Sequence, residues 1–133
     1  MSPVHPVVRY LILCEDVQTD PDEPHRTTLV RLINTLRSSR TPPFPFVQDA
    51  LCAFLQLTEC RGPADGRIEI HHADTDQIVF RTPSWTLPLV NDPLAILGVT
   101  FRLRKCLFPA PGLHWVQFWY NEAMIAQQSL LVR

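Results

Sequence analysis

Glycine is scarce in this chain, with four residues in 133 against thirteen prolines. So few glycines leave no glycine-rich phosphate loop and no Gly-x-Ser-x-Gly elbow for a serine nucleophile. The prolines forbid long uninterrupted helices and central strands through their positions. Cysteine appears four times (Cys14, Cys52, Cys60, Cys106), but no Cys-x-x-Cys occurs and Cys52 and Cys60 are too far apart for structural-zinc spacing. Adjacent His71 and His72 point to opposite faces of a strand and do not share a metal. A basic excess is also missing: net charge is −1, so neither nucleic acid nor anionic lipid is an expected partner. No apolar run approaches the roughly 20 residues of a membrane helix, and the Met1–Pro6 start lacks signal-peptide features. These absences predict a cytoplasmic protein with free, mostly buried thiols and no metal or other cofactor, and not an enzyme.

What is present is alternation of period two. Val7 to Val17 forms a first strand, apolar on both faces. Glu15 to Pro24 follows as an acidic loop, read as a solvated rim in preference to a calcium site. Thr27 to Leu36 mixes helical spacing (Leu29, Leu32, Ile33, Leu36) with β-branched residues, and its neighbours favour a strand. Thr41-Pro-Pro-Phe-Pro-Phe46 is a stiff crossover between sheets. Ala50 to Thr58, Arg67 to Ala73 and Gln77 to Arg81 supply further strands around the Gly62–Gly66 and Asp74–Asp76 turns, and an edge strand is expected near Trp85 to Leu87 within the Pro83–Pro93 connection. The chain from Leu94 to Val132 reads as a β-meander in which the Val99–Arg104 strand pairs with Leu113–Tyr120 across the Phe108–Gly112 turn. The whole predicts an all-β protein, one sandwich domain over residues 1–133 with seven to eight mostly antiparallel strands.

Several stretches together resemble a family of uncharacterised bacterial β-sandwich proteins, a domain of unknown function. They are Leu11-Ile-Leu-Cys-Glu-Asp-Val17, Thr28-Leu-Val-Arg-Leu-Ile-Asn34, Phe44-Pro-Phe46, Pro109-Ala-Pro-Gly112 and the final Leu130-Leu-Val132. His114 stands where the family pattern has a tyrosine, and Asn121-Glu122 replaces its Asp-Gly turn. The resemblance implies an immunoglobulin-like sandwich and supplies no catalytic residues.

The functional expectation rests on Leu113–Tyr120. If His114, Val116, Phe118 and Tyr120 face the core, then Trp115, Gln117 and Trp119 face outward. An indole left in water forgoes about 1.5–3 kcal/mol of burial. In the meander, Arg102 and Arg104 join the same face, where guanidinium and indole stack. Charge is polarised in keeping: +3 from Leu94 onward against −4 before it. Tryptophan with arginine is the composition of interface hot spots. The candidate surface is therefore Arg102, Arg104, Trp115, Gln117 and Trp119. It would serve a homodimer or an unidentified protein partner. The alternative is a platform on which carbohydrate or single-stranded nucleic acid stacks, with a metal-dependent or Cys/His enzyme third.

Overall fold

The computed structural model describes residues 5–60, 63–88, 92 and 94–133. The first residues of the chain, the opening of the Gly62–Gly66 turn and part of the Pro83–Pro93 connection lie outside these. Among the described residues ten strands form two sheets. The first sheet contains β1 (Val7–Thr19), β2 (Thr27–Leu32), β4 (Phe46–Thr58) and β8 (Leu97–Phe108) in the order β2-β1-β4-β8. The second has the order β3-β10-β9-β5-β6, from β3 (Thr35–Leu36), β10 (Ala123–Val132), β9 (Gly112–Tyr120), β5 (Asp65–His72) and β6 (Ile78–Arg81), with β7 (Trp85–Thr86) also on β5. Among the described residues the strands number ten where seven or eight were expected: Thr27–Leu36 divides into β2 and β3, and the edge strand near Trp85 to Leu87 forms as β7. No helix among the described residues is long and apolar enough to cross a membrane.

The core follows from alternation in both sheets. Leu11, Leu13, Leu51, Ala53, Leu55, Leu57, Val99, Phe101 and Leu103 meet Ile68, Ile70, Val116, Phe118, Leu130 and Val132 in one buried cluster. Two departures from the expected topology decide what lies on the outer faces. The run Thr27–Leu36 is a strand in two pieces: β2 stays on β1, whereas β3 crosses to run parallel to β10. The predicted pairing of Val99–Arg104 with Leu113–Tyr120 does not occur. Instead β8 pairs with β4, from Phe46↔Phe108 to Leu57↔Leu97, and β9 lies in the other sheet between β10 and β5. Pro109 and Pro111 carry no amide hydrogen, which suits the Phe108–Gly112 link to a passage between layers better than to a tight hairpin.

The far half of the β1–β2 hairpin leaves β4 after Cys14↔Cys52 and lies over the outer face of the first sheet. Cys14, Val17, Cys52 and Phe54 form a second buried cluster there, with Leu29 packed on it. Arg102 fastens this flap. It donates to Asp16 Oδ1 (2.6 Å) and to Val17 O (2.8 Å), and holds the Asp16 carboxyl below its usual range. The tip of the flap, Pro24 to Thr27, overhangs Phe54 and Gln56.

Where the chain passes between layers, a histidine pair fills the end of the core. His72 donates from Nε2 to Pro111 O (3.0 Å) and accepts the Asp74 amide at Nδ1 (3.2 Å). His114 is fully buried, its Nδ1–H directed at Gly112 O (3.0 Å), and its ring packs edge-on to both His72 and Phe108. Gly112 has φ +130°, and a Cβ there would meet His72 Nε2 at 3.1 Å, so glycine is required. Burial pushes the His114 pKa down, and the nearby His72 adds to this, outweighing the hydrogen bond to Gly112. The unfolded chain then binds more protons than the folded one as pH falls through about 6.5, the free imidazole value. Stability is expected to be highest above that pH and to fall on acidification toward pH 5. Urea midpoints measured across this range check the sign, and His114→Phe should flatten the slope.

Candidate functional site

The outer face of the second sheet is built of three cross-strand rungs fixed by register. Met124, Trp119 and Arg67 form the first; Gln127, Gln117, Glu69 and Arg81 the second; Ser129, Trp115, His71 and Ile78 the third. Alternation in β9 buries His114, Val116, Phe118 and Tyr120 and leaves Trp115, Gln117 and Trp119 half-buried on this face. Alternation in β5 does the same, burying Ile68 and Ile70 and turning Arg67, Glu69 and His71 outward.

At the centre stands Glu69, with only 3 % of its side chain exposed although it projects from the solvent side of a sheet. Arg67 Nε donates to its Oε2 at 2.7 Å, His71 Nε2–H donates to its Oε1 at 2.9 Å, and Arg81 Nε lies 3.4 Å from Oε2. Burial alone would raise the carboxyl pKa, but the hydrogen bonds from Arg67 and His71 and the charge of Arg81 outweigh it and hold the group below the usual range. The carboxylate is thus ionised and dry, and tolerable because it is saturated with donors. Arg67 also reaches the aromatic rung: its guanidinium carbon lies 4.7 Å from the centre of the Trp119 ring, and its Nη1 donates to Asn121 O (3.1 Å). Trp119 Nε1–H donates to Gln117 Oε1 (3.1 Å), whose amide nitrogen reaches Gln127 Oε1 (3.4 Å). A continuous polar frame therefore holds Trp119 in place. On the third rung His71 Nδ1 is buried without a hydrogen-bond partner among the described residues, 3.6 Å from Asp76 Oδ1.

Of the five residues singled out in the sequence, the structure brings together Trp115, Gln117 and Trp119. Arg102 and Arg104 are not with them. Both lie on β8 in the other sheet, so the arginine that stacks on Trp119 is Arg67. The carboxylate, histidine and second arginine of the frame escaped the sequence reading. Their signal was there: Arg67-Ile-Glu69-Ile-His71 puts three ionisable groups on one face of a strand whose other face is isoleucine. No metal-holding group of three or more His, Cys, Asp or Glu occurs among the described residues. Cys14 and Cys52 are cross-strand neighbours under the flap, and burial, with the Cys52 thiol beside it, pushes the Cys14 pKa up to about 11. Burial raises Cys52 as well. Neither is a thiolate nucleophile at neutral pH.

Fold and site together define an all-β protein of two packed sheets that carries a framed aromatic face. The chain belongs to the family of unknown function DUF6941, whose model matches residues 9–133. No protein of curated function matches it in sequence. Among solved structures it is similar to the alkylpurine DNA glycosylase AlkC of Pseudomonas fluorescens bound to DNA containing an abasic site analog, at 10% identity and TM-score 0.56, covering 99% of this chain and 31% of that one. It is also similar to the β-glucosidase of Listeria innocua in complex with glucose, at 13% identity and TM-score 0.51, covering 92% of this chain and 16% of that one. The chain spans less than a third of either enzyme, and at these identities the likeness is one of fold.

Removing the carboxylate leaves two arginines and a histidine facing one another. Glu69→Ala is expected to cost about 2–3 kcal/mol, below the roughly 3–5 kcal/mol of breaking a fully buried ion pair because the arginines can turn to water. Glu69→Gln should cost less. Urea unfolding measures both, and a loss under about 0.5 kcal/mol for the alanine variant would show that the frame does not depend on Glu69.

Proposed function

We propose that this protein is a non-enzymatic interaction module, an immunoglobulin-like sandwich working in the cytoplasm, that self-associates through the outer face of its second sheet. The observation that carries the reading is the framing of Trp119, with Arg67 over the ring, Gln117 on the indole nitrogen and Glu69 locking Arg67 from beneath. Order of this kind reduces the entropy lost on association, because the aromatic anchor is held before a partner arrives. Trp115 extends the platform along β9, and tryptophan with arginine supplies the residue types that dominate interface energies. A two-fold axis through the middle rung would lay one platform antiparallel on the other. Each copy then offers the amides of Gln117 and Gln127, which both donate and accept, to its twin.

The platform on which sugars or bases stack is the weaker alternative. Arg67 already occupies one face of Trp119, so a flat ligand could take that face only by displacing the guanidinium. The double variant Trp115→Ser/Trp119→Ser separates these readings. Sedimentation equilibrium should show self-association weakened at least about tenfold, in line with loss of hot-spot aromatics, while circular dichroism keeps the β-sheet signal. An insoluble or molten variant would instead make the indoles structural. Saturable quenching of the wild type by an oligosaccharide or by oligo(dT) would favour the ligand reading.

A further inference from the structure

Among the described residues no strand pairs with the outer edge of β8. Ladder alternation fixes which of its groups are unpaired there. The Ile33 amide donates to Leu13 O (2.8 Å) directly across the β1–β2 ladder, so Leu13 turns its backbone groups to β2 and Cys14 turns its own to β4. Carried through Cys14↔Cys52, this gives Leu51 and Ala53 to the partners Leu103 and Phe101. Gly98, Thr100 and Arg102 therefore direct N–H and C=O away from the sheet. Along that same edge runs a groove of about 350 Å³, with Pro83, Ser84 and Trp85 on one side and Thr100, Phe101 and Arg102 on the other. Trp85 is 47% exposed and meets Phe101 edge-on at 5.7 Å, so the groove has an aromatic wall open to solvent.

Charge selects the occupant. Arg102 is engaged with Asp16, whereas the exposed Arg104 and Lys105 form no ion pair among the described residues. Lys105 also has φ +52°, and a lysine at a bent position guards an edge against pairing with its like. A second copy of β8 would bring two cationic edges together. An acidic strand would neutralise one.

We propose that the free edge of β8 docks an extended acidic peptide of a partner protein by strand addition. Its backbone pairs with Thr100 and Arg102, one apolar side chain packs in the groove against the exposed ring of Trp85, and the alternate carboxylates face Arg104 and Lys105. This surface lies on β8, in the sheet opposite the tryptophan face, and does not depend on it. The test uses a short fluorescein-labelled peptide that alternates glutamate with valine, with two controls: the lysine–valine counterpart, and the glutamate peptide N-methylated on alternate amides. Anisotropy should show saturable binding of the first, and each control should bind at least about tenfold more weakly. Arg104→Glu/Lys105→Glu should weaken binding similarly, and amide shifts should concentrate at Thr100 and Arg102. Thr100→Pro removes an outward N–H without breaking the ladder and should abolish binding, whereas Trp115→Ser/Trp119→Ser should leave it unchanged. The proposal is overturned by absence of saturable binding, by equal affinity for glutamate and lysine peptides, or by indifference to N-methylation, an arm that needs no protein variant.

Discussion

Between Phe108 and Gly112 the chain has to leave one sheet and enter the other, and much of the molecule's surface chemistry follows from that passage. It separates two strands that are neighbours in sequence, so the arginines of β8 and the tryptophans of β9 end on opposite outer faces. The link is confined by what surrounds it. Phe46 stacks on Phe108, His72 holds Pro111 O, and Gly112 must lack a side chain to clear His72. With β8 placed at the edge of the first sheet, Arg102 is free to fasten the β1–β2 flap. With β9 placed centrally in the second, its outward residues have neighbours on both sides.

Those neighbours explain how two tryptophans are accommodated on a solvent-facing sheet. Neither lies fully in water: Trp119 has the Arg67 guanidinium over its ring, and Trp115 is flanked on its rung by His71 and Ser129. Glu69 makes this possible by collecting Arg67, His71 and Arg81 onto one carboxylate. A buried charge of this kind contributes little net stability compared with an apolar replacement, since desolvation offsets most of the attraction. Its value is geometric: it fixes where Arg67 sits and therefore where Trp119 sits. The flap on the opposite face works differently, with an apolar cluster beneath and the half-exposed Arg102–Asp16 ion pair at its rim.

The sequence made legible whatever depends on period-two alternation. The inward set of β9, the outward Trp115, Gln117 and Trp119, and most strand positions could be read because adjacent side chains in a strand must part to opposite faces. Strand partners could not. Alternation is identical whether β8 pairs with β9 or with β4, and the second choice is settled by contacts dozens of residues away. Thr27–Leu36, read as a strand and found as one, carried a mixed signal for a related reason: Leu29 packs into the flap cluster, whereas Ile33 and Leu36 pack on the main core, and the change of sheet between them imitates helical spacing. Glu69 was hidden because a charged residue on an outward position reads as solvated. Its burial arises only when β6 and β9 bring Arg81 and Gln117 alongside.

The central claim is that Trp115 and Trp119 form a face prepared for a second copy of the chain. The most direct measurement is light scattering over a range of concentrations with tryptophan emission recorded on the same samples, in a Trp85→Phe background so that only these two indoles report. The account predicts a dimer with blue-shifted emission that reddens as dilution gives monomer. A monomer at every concentration, with emission unchanged throughout, would contradict it.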